Sequence, residues 1–179
     1  MSVTVHSPYG AQIRLRPVRS EDVPLVTNSW LRSFRDSCHV WGVPDQSYFW
    51  CHHKILEKLI PRSSVVVACL EDDPNVILGW IAYEMAGEVM VLHNCYVKKP
   101  FRGLHIASRL FKEVYEIEGE PTAVIFTART KHSWSLYEKK LKASEKPLWV
   151  YNPYLMYNEF NDWAIDPEDM RRFRTEDDE

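Results

Sequence analysis

The sequence has no apolar run of membrane-spanning length, no repeat, no low-complexity linker and no large excess of charge of one sign. Each absence removes a class of protein. A spanning helix needs roughly 18 or more consecutive apolar residues, so no membrane partner is expected. The first ten residues, MSVTVHSPYG, lack the basic-then-apolar pattern of a secretory signal, and the expectation is a cytoplasmic protein. A formal net charge of −3 argues against a basic surface made for nucleic acid. Cysteines are few and widely separated, Cys38, Cys51, Cys69 and Cys95; a cytosolic chain of this size needs no disulfide staples, which predicts buried thiols.

What is present is an ordinary folding composition. With 45% hydrophobic and 26% charged residues over 179 positions, the chain can bury one core, so a single domain over residues 1–165 is expected. Residues 166–179, DPEDMRRFRTEDDE, are densely charged and read as a solvated helix or a frayed tail.

Residues 12–18 alternate apolar and polar and predict a half-buried strand. Ser20 is placed to cap a following helix to about Phe34, with Glu21 and Asp22 suited to its positive end and Pro24 tolerable in its first turn. Residues 47–60 carry apolar side chains at helical spacing, with Tyr48, Cys51, Ile55 and Leu59 on one stripe, Phe49, Leu56 and Ile60 beside it, and Pro61 as the stop. Strands follow at 64–70, 76–85 and 89–97, the second with a bulge or a close backbone approach at Gly79. A helix over about 104–118 would bury Ile106, Leu110, Val114 and Ile117. Residues 122–128 form a short strand buried on both sides, 132–142 a helix, and 147–158 one or two closing strands.

The stretch KKPFRGLHIASRL, residues 98–110, carries the chemistry. Lys98, Lys99 and Arg102 precede Gly103, and a helix begins directly after. The first N–H groups of a helix lack internal partners and its dipole adds partial positive charge there. Glycine lets a ligand approach the backbone. Two readings fit: a diphosphate cradle, or a basic turn before a surface helix.

The order Arg102-Gly103-Leu104-His105-Ile106-Ala107, between a fourth strand and a third helix, resembles the Arg/Gln-x-x-Gly-x-Gly/Ala signature of the GNAT superfamily of acyl-CoA-dependent N-acyltransferases. Residues 133–143, SWSLYEKKLKA, are similar to that family's second signature, and the element order is similar from about residue 12 to 158. The resemblance implies an α/β (α+β) GNAT fold: a mixed, mostly antiparallel sheet of six to seven strands flanked by about four helices. It implies acetyl-CoA as co-substrate, no metal, and an amine acceptor on a small molecule or a protein. It further implies that the amides of Gly103, Leu104, His105, Ile106, Ala107 and Ser108, with Arg102, hold the pyrophosphate. Tyr96 and Val97 would pair with the pantetheine arm where strands four and five splay, and Tyr137 would protonate the leaving thiolate. The oxyanion would meet a backbone N–H of the fourth strand.

The chain departs from the pattern in three places. His105 replaces the central glycine, Thr130 stands where the family often has Asn, and the fifth strand has Ile125 where some members carry a carboxylate base. The base is therefore Glu84, His93 or water. His93 has a suitable ordinary pKa, near ~6.5. Glu84 could instead be a solvated strand end and His93 a satisfied core residue. Cys38-His39 and Cys51-His52-His53 lack zinc-ligand spacing. The aromatic group Trp30, Phe34, Trp41, Tyr48, Phe49 and Trp50 would shape the acceptor pocket or pack the core. The rival to an enzyme is a GNAT-fold protein of weakened catalysis acting as a binding or inhibitory module on a partner; transfer of a larger acyl or aminoacyl group is a third possibility. Exposed final strands leave homodimer pairing open.

Overall fold

The computed structural model describes residues 12–35, 40, 42–130, 135 and 147–157. Strands β1 (Ile13–Pro17), β2 (Ser64–Leu70), β3 (Ile77–Ala86), β4 (Val89–Val97), β5 (Ala123–Phe126) and β6 (Leu148–Tyr151) form one sheet in chain order. The pairs from β1 to β4 are antiparallel, whereas β4–β5 and β5–β6 are parallel. Helices α1 (Val23–Arg35) and α2 (Asp45–Arg62) cover one face and α3 (Ile106–Glu118) the other. The sequence reason is the alternation in β2: Val66 and Ala68 join Ile106, Leu110 and Val114, while Val65 and Val67 join Trp30, Phe34 and Leu56. Each such fully buried aliphatic side chain contributes roughly 1.5–3 kcal/mol.

Several local expectations are corrected. Ser20 does not cap α1: residues Ser20–Asp22 form a separate 3₁₀ turn, and Asp22 receives the Arg19 N–H at 2.8 Å. Asp22 stands directly before α1, is buried, and takes both Arg16 nitrogens, at 2.6 and 3.1 Å. Arg16 in turn reaches the Pro74 carbonyl at 2.8 Å, tying β1 to the β2–β3 turn. Pro61 does not stop α2, which runs on to Arg62. A proline forfeits one hydrogen bond, to Glu57, and so near the helix end the loss is small. The buried stripe of α2 is Tyr48, His52, Leu56 and Leu59, so Cys51 faces outward as an exposed thiol and His52 takes the inward place. Ile117 is 58% exposed, outside the buried stripe of Ile106, Leu110 and Val114. Cys69 is buried and Cys95 half-buried.

Gly79 meets both of its expected roles. The β2–β3 register shifts beside it, between Ala68 and Cys69, and a Cβ on Gly79 would lie 2.6 Å from the Tyr96 carbonyl oxygen. Cys38, His39, Trp41, Tyr137, most of the 132–142 helix and the 166–179 tail lie outside the described residues.

Candidate active site

The site grows from a defect in one strand. In β4 the pairing with β3 runs Tyr83↔Leu92 and then Ala82↔Asn94, which leaves His93 as an extra residue. A bulge of this kind breaks the in-out alternation. Leu92 and Cys95 pack on the α3 side, whereas Asn94 reaches Ser33 of α1, its amide nitrogen 3.5 Å from the hydroxyl. At the same point β4 and β5 part. Their last paired residues are Leu92 and Phe126, followed by one bond from the Thr127 N–H to the Leu92 carbonyl at 3.0 Å.

Beyond the fork β4 continues to Val97 against β3 alone. The Lys98 N–H meets the Leu78 carbonyl at 2.8 Å, so alternation along this ladder turns the Tyr96 backbone toward β3 and those of Cys95 and Val97 toward the open side. Of the two residues expected to offer backbone groups there, Val97 turns its backbone to the open side and Tyr96 turns its backbone to β3. The Tyr96 ring instead lies beside Trp80, centroids 6.0 Å apart. Arg102 also differs from a simple anion clamp, since its Nε donates to the Val97 carbonyl at 3.1 Å and ties the loop to the strand end.

The loop itself is strained where the sequence departs from glycine. Gly103 has φ +86° and His105 has φ 56°, ψ 20°, the left-handed region. Among the described residues His105 is the one non-glycine there. Its helix begins immediately afterwards, the first bond running from the Arg109 N–H to the His105 carbonyl at 3.0 Å. Among the described residues, no backbone acceptor meets the N–H groups of residues 103–108. His105 thus adopts the conformation that glycine would supply at lower cost, and the six orphan donors remain in place.

A cavity of about 140 Å³ opens at the fork, lined by Leu92, His93, Cys95, Ala107, Phe111 and Trp149, among others. Thr130 borders it as well. Burial pushes the Cys95 thiol up to about 12, so it stays protonated and is a poor nucleophile.

On the sheet face covered by α2, the two residues weighed separately as bases are brought together. The Nε2 of His93 lies 2.7 Å from Glu84 Oε1, and Arg62 Nε lies 3.0 Å from the same oxygen. Arg62 also donates to the carbonyls of Leu155 and Met156, each at 3.2 Å. His93 is fully buried, and this desolvation lowers its pKa, opposed by the Glu84 carboxylate and reinforced by Arg62. The imidazole is therefore neutral at pH 7 and able to accept a proton. Arg62 and Thr127 carried no signal in the sequence, since a terminal helix arginine and a strand-end threonine are both commonplace.

Trp30, Phe34 and Tyr48 belong to the core, whereas Trp50 and Phe49 are exposed. Among the described residues no helix is long and apolar enough to cross a membrane, and no three His, Cys, Asp or Glu side chains gather as a metal-holding group.

Residues 25–143 match the acetyltransferase (GNAT) family, and the chain belongs to that family. In fold it is similar to the PaiA N-acetyltransferase of Thermoplasma acidophilum, whose structure is in complex with coenzyme A: 16% identity, TM-score 0.54, 72% of this chain and 88% of that one. A putative acetyl transferase from Pyrococcus furiosus aligns with TM-score 0.56 at 18% identity, over 72% and 91% of the two chains. A histone acetyltransferase HPA2-related protein of Corynebacterium glutamicum aligns with TM-score 0.52 at 15% identity, over 71% and 82%. No curated protein matches the sequence.

Proposed function

We propose that the protein is an N-acetyltransferase that moves an acetyl group from acetyl-CoA to an amine by direct attack. The observation that carries this reading is the fork between β4 and β5, with the Glu84–His93 pair at its apex and the orphan amides of residues 103–108 at its mouth. The donor set fits the group. Six N–H groups at a helix start that meet no backbone acceptor among the described residues suit a pyrophosphate, and the Cys95 and Val97 backbones suit the amides of a pantetheine arm.

Bound acetyl-CoA supplies an activated thioester carbonyl. Residues 103–108 hold its phosphates, Val97 and Cys95 align the arm, and a backbone N–H of β4 stabilises the carbonyl oxygen as charge develops on it. From the neutral amine, the N–C bond forms as the C–S bond breaks. His93 takes the proton leaving the nitrogen, and Glu84 stabilises the resulting imidazolium. Tyr137 donates one proton to the thiolate, which balances the transfer. The protonated Cys95 disfavours an acyl-enzyme route and supports the direct one.

The test is calorimetric titration with acetyl-CoA, followed by thiol release across a panel of small amines and peptide N-termini. Micromolar binding together with amine-dependent release that falls at least tenfold in His93→Ala and Tyr137→Phe is the expected result. Release of equal rate in both variants would overturn the catalytic assignments, and no binding at millimolar acetyl-CoA would overturn the reading as a whole.

A further inference from the structure

Thr127 is the first residue beyond β5 and is fully buried. Its N–H makes the last backbone bond across the fork, and its Oγ1 lies 3.4 Å from both the carbonyl oxygen and the Nδ1 of His93. These are long hydrogen bonds, as catalytic bonds often are before substrate arrives. The hydroxyl has one proton and two places to donate it.

Among the described residues, the groups facing the imidazole narrow the choice. From β3, the Glu84 carboxylate lies at Nε2; from the end of α2, Arg62 holds that carboxylate; from beyond β5, Thr127 lies at Nδ1. An ionised carboxylate only accepts, so the proton of neutral His93 is on Nε2. Nδ1 then carries a lone pair, and the Thr127 hydroxyl is positioned to donate to it. When Nδ1 gains a proton, the same hydroxyl can turn its own proton to the His93 carbonyl and accept from Nδ1. One rotation thus satisfies both protonation states of a buried ring, where an unsatisfied polar atom is costly.

We propose that Thr127 is a positioning residue whose hydroxyl serves Nδ1 of His93 as a donor in the neutral ring and as an acceptor in the protonated one. This rests on the reading of His93 as the base, yet its test needs no acceptor and no turnover. In the full chain labelled with ¹⁵N-histidine, NMR at pH 7.5 reports the protonation and hydrogen bonding of each ring nitrogen. The expected wild-type signature for His93 is a protonated Nε2 and an unprotonated Nδ1 shifted by a hydrogen-bond donor. In Thr127→Val, which keeps the shape and the backbone bond, the Nδ1 resonance moves toward that of an unbonded imidazole nitrogen, and Thr127→Ser restores it. A wild-type ring protonated at Nδ1 would overturn the proposal without any variant, as would an Nδ1 resonance unchanged between Thr127→Val and wild type. If amine transfer fails but these shifts hold, the fault lies with the assigned reaction and not with the role of Thr127.

Discussion

His52 offers the best-determined perturbation. It takes an inward position on α2, stacked between Phe34 at 4.4 Å and Tyr48 at 5.3 Å, and is 3% exposed. Its Nε2 has no partner among the described residues, and the nearby charge, Arg35 over the Tyr48 ring, has the same sign as an imidazolium. Burial accordingly pushes the pKa from 6.5 down to about 4. The folded state binds the proton less readily than the unfolded chain, so stability is full above about pH 6.5 and is lost as pH falls toward 4. Each pH unit inside that window is worth up to about 1.4 kcal/mol. Between pH 7 and pH 5 the two pKa values give a loss of roughly 2 kcal/mol from this one residue. His52→Leu removes the titration and leaves a side chain of similar volume, so at pH 7 its stability should lie within about 1 kcal/mol of wild type. Urea unfolding followed by tryptophan fluorescence at both pH values measures the effect. The wild type should lose about 2 kcal/mol more than the variant on acidification, other titrating groups being common to both. An equal loss in the two proteins would refute the argument, because it would mean that His52 reaches water and charges without unfolding.

Three further outcomes are expected. His105→Gly should stabilise the chain by about 0.5–1 kcal/mol, the ~1–2 kcal/mol of left-handed strain relieved outweighing the added freedom of the unfolded chain; thermal denaturation checks it, and destabilisation would contradict the strain. Gly79→Ala should cost about 2 kcal/mol or more, since the new Cβ meets the Tyr96 carbonyl, which is backbone and cannot turn away; the urea midpoint measures this. Asp22→Asn should cost about 3 kcal/mol, because it leaves the buried Arg16 guanidinium without its counter-charge. The Arg16 contact also holds the Asp22 carboxyl below its ordinary value, so that contribution is present above about pH 4 and fades below it, which an acid titration followed by circular dichroism would reveal.

The pairing of Glu84 with His93 was within reach of the sequence. Gly87 and Glu88 make a two-residue turn between β3 and β4, and that turn sets Glu84 across from Val91, with His93 two residues farther along the same face. What alternation could not foresee was the bulge. It lets His93 and Asn94 both serve the α1–α2 face, and no residue type in LHNCY announces it. His52 shows a similar limit: helical spacing gave an apolar stripe through Cys51, yet the packing angle of α2 on Phe34 turned the helix so that a histidine, and not the cysteine, was enclosed.

The sequence by itself determined the elements and the place of the loop proposed as a cradle. β-Branched runs make β2, β3 and β4, the 3.6-residue period makes α3, and the glycine of the 98–110 stretch permits a positive φ at the helix start; these are local properties of neighbouring residues. Only the tertiary structure decided where β4 and β5 separate, that Arg102 holds a strand end, and that Arg62 and Thr127 join the Glu84–His93 pair. Those contacts join neighbouring strands and the end of α2, and their geometry depends on the register and the bulge of the sheet, which no short stretch of chain encodes.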